Sequence, residues 1–211
     1  MLKFINYINK DFEQQFEPDI KKYYQEVRKL LPTLPKDIKI YFMSDGIIHG
    51  MYTGGYAYSP EIISIALDPK ATNLDMLRSQ IKATVFHEAF HIAHNYTGQT
   101  GPFYLIENAL QEGSATVFEI MYANSIAKDL YGDYRHHSKS QLNEWLNFIK
   151  DNGVISYDEY RLFAFYDKSD DIRWKLYKTG AWLVDQYLSK TGKDIKDFTN
   201  DDVVTIIDSL N

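Results

Sequence analysis

The 211-residue chain contains no cysteine. Disulfides are therefore excluded, and any bound metal must be held by nitrogen and oxygen ligands. A cysteine-free composition suits a cytosolic and an exported protein alike, so it assigns no compartment. Long basic runs are also missing, and the net charge is −6. The electrostatic footprint of a nucleic-acid-binding protein is thus absent, and an anionic membrane surface is an unfavourable partner. No stretch approaches the roughly 18 consecutive apolar residues of a membrane span. The opening Met1-Leu2-Lys3-Phe4-Ile5-Asn6-Tyr7-Ile8 is broken by polar residues too often to be the apolar region of a secretory signal. The chain as given reads as soluble and cytoplasmic, or as secreted if a leader once preceded it. What is present is ordinary for a globular protein: 45% hydrophobic and 25% charged residues, enough for a sizeable core. The 17 tyrosines read first as compositional bias rather than as an aromatic binding surface.

Periodicity divides the chain into two kinds of structure. Residues 10–31 carry apolar side chains at three- and four-residue steps and predict a helix that ends at Pro32. Three extended segments follow: Ile38–Met43, a stretch from Ile47 towards Tyr52 that Gly54-Gly55 should break, and Ile62–Leu67 before Asp68-Pro69. After Pro69 the spacing becomes helical. Thr72 or Asn73 can cap a helix bearing Leu74, Leu77, Ile81, Val85 and Ala89 on one stripe, continuing to Tyr96 and stopping at Gly98. A turn at Gly101-Pro102 leads to a second long helix over 105–127, and further helical patterns cover 141–150, 157–165, 172–189 and 201–210. The expected architecture is α+β, a small N-terminal mixed sheet packed on a helix and a mostly helical C-terminal half. It is read as a single domain over 1–211, with the sheet-bearing part reaching to about residue 100.

The chemistry concentrates on the helix carrying His87-Glu88-Ala89-Phe90-His91. Residues four apart on a helix project to the same side, separated along the axis by about one turn, 5.4 Å. Both imidazoles can therefore reach one metal ion, with zinc the expected occupant. Glu88 then lies beside the open coordination position, where a carboxylate can take a proton from an activated water and deliver it to a leaving group. This is the H-E-x-x-H pattern of metallohydrolases.

Two imidazoles leave a catalytic zinc one protein ligand short. His94 lies on the same side, but an unbroken helix carries it about 10.5 Å from His87 along the axis. Position 94 is not the Gly, nor position 97 the His, of the H-E-x-x-H-x-x-G-x-x-H pattern. His94 is better read as a rim residue. The next helix offers Glu112 within Gln111-Glu112-Gly113-Ser114-Ala115, where small residues would let two helices approach closely. Glu107 and Glu119 are the rivals.

His-Glu-Ala-Phe-His followed about twenty residues later by Gln-Glu-Gly-Ser-Ala resembles the gluzincin branch of the zincin metallopeptidases, the branch of thermolysin. Within it the match is closest to small bacterial predicted zinc-dependent proteases with an E-G-x-A motif. The resemblance spans roughly residues 50–120. It implies a zincin-like fold, with His87, His91 and Glu112 as metal ligands, Glu88 as general base and a peptide or protein as substrate. It also implies that the strand before the motif helix, here Ile62–Leu67, is the edge that pairs with an extended peptide. Thermolysin-like enzymes place an Asp four residues after the third ligand to orient a ligand histidine; here that residue is Thr116, and Gln111 replaces an Asn before the Glu. Orientation would then fall to Asn108, Glu119 or a backbone carbonyl.

Peptide hydrolysis also needs a donor to the oxyanion. Tyr177, in Tyr177-Lys178-Thr179-Gly180, is the candidate, with Gly180 allowing close approach; His136-His137 is the alternative. His49 reads as structural, and Asp170-Asp171 as a helix cap. Two other functions fit the same motif: zinc-dependent amide hydrolysis of a small substrate, as in deformylation, and a degenerate zincin domain that only binds.

Overall fold

The computed structural model describes residues 2–98, 103–165 and 172–210. In chain order these form β1 (Leu2–Ile5), α1 (Lys10–Glu13), α2 (Glu17–Leu30), β2 (Ile38–Met43), β3 (Thr53–Ser59), β4 (Ile62–Leu67), α3 (Leu74–Ala93), β5 (Phe103–Tyr104), α4 (Leu105–Ala123), α5 (Lys139–Asn152), β6 (Val154–Ile155), α6 (Tyr157–Ala164), α7 (Lys175–Thr191) and α8 (Asn200–Leu210), with short 3-10 turns between some of them. The class is α+β, a small mixed sheet with mostly helical structure around it. No described helix is long and apolar enough to cross a membrane. The chain forms two compact units, residues 1–99 with 118–126 and residues 100–117 with 127–211. That residues 118–126 belong with the sheet is something periodicity did not disclose.

The first unit is built on a four-stranded sheet of order β1-β2-β4-β3, in which β1, β2 and β4 are parallel and β3 is antiparallel. Buried Ile38, Ile40 and Phe42 alternate with exposed residues along β2, the pattern of a sheet with one covered face. Helix α3 packs on β3 and β4 and also against α2. Three sequence expectations need correction here. The helix predicted over 10–31 is interrupted by a 3-10 turn at Gln14–Phe16, because Pro18 lies in the first turn of α2 and has no N–H to continue the ladder backwards. The extended segment predicted at 47–52 is a turn joined by the single bridge Ile48–Thr53. The strand itself runs straight through the glycine pair, as β3. And β4 is not an edge: it lies between β2 and β3, so β3 is the edge strand beside α3.

Asn73 caps α3, its side chain accepting from the Met76 N–H. The helix ends three residues earlier than the spacing predicts. Asn95 adopts φ +61° and the Tyr96 N–H closes on the His91 carbonyl at 2.8 Å, so Asn95 rather than Gly98 turns the chain. Likewise α4 stops at Ala123 because Asn124 takes φ +55°.

The second unit holds the first half of α4, the β5–β6 pair and helices α5 to α8. Ser138 and Ser156 form capping boxes with Gln141 and Glu159 at the starts of α5 and α6. Leu105, Ala109, Trp145, Ile149, Phe163 and Leu176 form the centre of its core. Helix α4 crosses α7 where two glycines meet. A Cβ on Gly113 would lie 2.2 Å from the Gly180 carbonyl carbon, and one on Gly180 would lie 1.7 Å from the Ala109 oxygen. The small residues after Glu112 thus serve a contact with α7. The predicted turn at Gly101-Pro102 and the predicted cap at Asp170-Asp171 fall outside the described residues.

Candidate metal centre

From Ala83 to Ile92 every residue of α3 is buried, so its polar side chains are held in the interior and need specific partners. His87, Glu88 and His91 are 7%, 6% and 5% exposed. The two imidazole rings stand 4.8 Å apart at 74°, both on the same side of the helix as the i, i+4 spacing requires. The Nδ1 atom of each is fully buried, which leaves Nε2 as the nitrogen able to point outwards.

Glu88 lies against β3. A Cβ at Gly55 would come within 2.6 Å of Thr84 Cγ2, 2.7 Å of Glu88 Cγ and 2.9 Å of Glu88 Oε1. Gly55 therefore marks where the carboxylate passes over the strand, the usual meaning of a glycine inside a strand. The outer edge of β3 is partly occupied. The Thr53 carbonyl accepts from the Ile48 N–H, and the Ala57 carbonyl from the Gly98 N–H, both at 3.0 Å. Outward-facing main-chain groups recur at every second residue of an antiparallel strand, so Gly55, midway between Thr53 and Ala57, turns its own N–H and C=O outwards. Among the described residues nothing pairs with the edge at that point.

Helix α4 supplies the carboxylates. His87, His91 and Glu112 each offer a ligand atom, and these atoms lie within 4.8 Å of one another. Among the described residues this is the group of histidine and carboxylate side chains able to hold a metal ion. Two nitrogens and one oxygen fit the donor set of a catalytic zinc with three protein ligands. Of the rival carboxylates, Glu107 is exposed, and neither it nor Glu119 belongs to the group. Glu119 is fully buried, its Oε2 lying 3.6 Å from His87 Nδ1. Phe118 places it there: its ring packs on Phe86 and Phe90 of α3, with centroids 5.9 and 5.0 Å away. Asn108 instead donates to the Tyr104 carbonyl at 2.8 Å, and the buried Thr116 hydroxyl makes no hydrogen bond with a described residue.

A family model described as "Predicted Zn-dependent protease (DUF2268)" matches residues 16–208. The chain belongs to this family. No curated protein and no solved structure matches it. The family match covers both units of this predicted Zn-dependent protease, so the helical second unit is part of the family's common chain and not an appended module.

The remaining sequence candidates make the following contacts. His94 caps α3, its Nδ1 2.8 Å from the Phe90 carbonyl and its ring stacked on Phe90 at 4.0 Å. Tyr177 is half-buried in an aromatic cluster with Tyr131, Phe165 and Trp174, with centroids between 5.3 and 6.1 Å from its own. His136 is exposed beside Asp133, at 2.6 Å. His137 rests on Trp145 and faces the buried Lys178 Nζ at 3.1 Å. Burial lowers the pKa of both partners, and the Lys178 charge lowers that of His137 further. His49 is exposed in the turn before β3. Sequence reasoning missed Gly55, taken for a strand breaker. The signal was available, since a strand glycine opposite a motif helix often marks close approach.

Proposed function

We propose that the protein is a gluzincin-type zinc metallopeptidase that hydrolyses peptide bonds. The observation that carries the reading is the convergence of His87, His91 and Glu112 with Glu88 held beside them over Gly55. His87, His91 and Glu112 would hold a zinc ion, which would supply Lewis acidity for a water and a carbonyl. Glu88 accepts the proton from the attacking water and hands it to the leaving amine. The Tyr177 hydroxyl donates to the oxygen on which charge develops. The N–H and C=O of Gly55 pair with the substrate main chain, replacing the role first expected of β4. An outward-facing main-chain position at Gly55 next to the general base favours a peptide over a small acyl compound or a purely binding function.

The test combines metal analysis with Glu88→Gln. The wild-type protein binds one zinc per chain, and His91→Ala loses it while remaining folded. Glu88→Gln retains zinc but loses peptide hydrolysis by about 10²- to 10⁴-fold. A chain that takes up no zinc, or a Glu88→Gln variant as active as wild type, overturns the reading.

A further inference from the structure

We propose that Glu119 is the residue that positions His87, accepting the proton on Nδ1 so that Nε2 faces the metal; this rests on the zinc reading above. Helix α4 presents Glu112 and Glu119 two turns apart on one side, a rise of about 10.5 Å. The first carboxylate joins the ligand group. The second is fully buried and lies 3.6 Å from Nδ1 of His87. That separation is about 0.8 Å longer than a charge-assisted hydrogen bond, within the reach of a small rotation of the Glu119 side chain.

Burying a carboxylate is costly unless it is paired, and polar groups lie near both oxygens of Glu119. Oε2 faces the imidazole. Oε1 accepts from the hydroxyl of Ser125, 3.3 Å away and itself 1% exposed. Ser125 reaches back because Asn124 ends α4 in the left-handed conformation, φ +55°. Between the two glutamates, Thr116 occupies the same side of the helix, and its buried hydroxyl bonds to no described residue. The orienting carboxylate is thus displaced by about one helical turn from position 116, where thermolysin-like enzymes carry an Asp, and Ser125 fixes its rotamer. An imidazole that donates its Nδ1–H to a carboxylate in a hydrogen bond is locked in one tautomer and becomes a stronger metal ligand through Nε2.

The experiment measures zinc affinity of the full chain by competition with a chromophoric chelator, together with thermal unfolding of the apo and zinc-loaded forms. Glu119→Gln keeps a neutral acceptor of the same size, and Ser125→Ala leaves the carboxylate but frees it. Loss of an orienting partner of this kind lowers metal affinity by about 10- to 100-fold. Glu119→Gln is expected to fall in that range, and Ser125→Ala to fall less, by about threefold to tenfold. Neither variant lowers the unfolding temperature of the apo form, while the added stability on zinc binding shrinks. Unchanged zinc affinity in Glu119→Gln overturns the proposal, as does an equal loss of apo and zinc-loaded stability with the affinity unaltered. Should Glu119→Gln fail to fold, unchanged affinity in Ser125→Ala overturns it instead. Failure of wild-type protein to bind zinc at all is the separate result that removes the metal centre itself.

Discussion

Gly55 and Gly180 occupy positions that reject a methyl group, for opposite reasons. At Gly55 the obstacles are side chains, Thr84 and Glu88, and the longer Glu88 can rotate away. At Gly180 the obstacle is the carbonyl oxygen of Ala109, which cannot move unless α4 moves. One glycine makes room for the Glu88 carboxylate and the other for a helix. The difference separates what the candidate site needs from what the fold needs, although both bear on α4, where Glu112 joins the ligand group and Gly113 packs on Gly180.

The comparison is most severely tested at Gly180. With 1.7 Å between a new Cβ and the Ala109 oxygen, Gly180→Ala should cost at least about 3 kcal/mol, at the upper end of overpacking effects. Helix propensity acts in the opposite sense by about 1 kcal/mol, so a neutral or stabilised variant in chemical denaturation would mean that the crossing is looser than drawn. Gly55→Ala should reverse the pattern. Its stability should change by less than about 1 kcal/mol, because strand propensity favours the substitution and Glu88 can yield. Peptide hydrolysis should nevertheless fall about 100-fold, the scale of misplacing a catalytic group by an ångström, with zinc content unaltered. If Gly55→Ala unfolds as readily as Gly180→Ala, the distinction between the two glycines is lost.

The same contrast shows what the sequence disclosed. The i, i+4 histidines and the intervening Glu88 were legible because helical spacing alone places them, and α3 is long enough for its interior to be regular. Glu112 was legible from its distance along the chain, and close helix packing at Gly113 from its small neighbours, but the partner helix was not. The neighbour of Gly113 is Gly180, 67 positions further on, and no local pattern records a pairing of that range. Gly55 was misread because a glycine pair looks like a breaker until the side chain above it is known. The edge strand was misassigned for a related reason. Apolar Ile62–Leu67 looked like the strand nearest the motif, yet continuous hydrophobicity is the mark of a strand buried between neighbours, and Thr53–Ser59 with its exposed Tyr56 and Tyr58 is the outer one. Four-residue β1 carries too little periodicity to be seen at all.

The smallest effect concerns the polar flank of α7, two residues from the glycine crossing. His137 is held below its ordinary pKa by burial first and by the Lys178 charge second, with His136 adding slightly and Asp133 opposing. A base whose pKa is lowered on folding binds fewer protons folded than unfolded, so stability rises with pH across the interval between the folded value and about 6.5 and is level above it. Lys178, also lowered by burial and opposed by Asp133, acts in a separate window that closes near 10.5. His137→Phe keeps the ring on Trp145 and removes the titration, so denaturation midpoints at pH 5 and pH 7.5 should lie closer together in the variant. Solvent screening of a partly exposed group limits the difference to below about 0.5 kcal/mol. Neither His137 nor Lys178 belongs to the ligand group, so the zinc-induced stabilisation measured at pH 7.5 should be the same in His137→Phe and wild type. A variant that kept the full pH dependence would show that the acid sensitivity of α7 arises elsewhere. One that lost zinc-induced stabilisation would show that the polar flank of α7 and the metal centre are coupled.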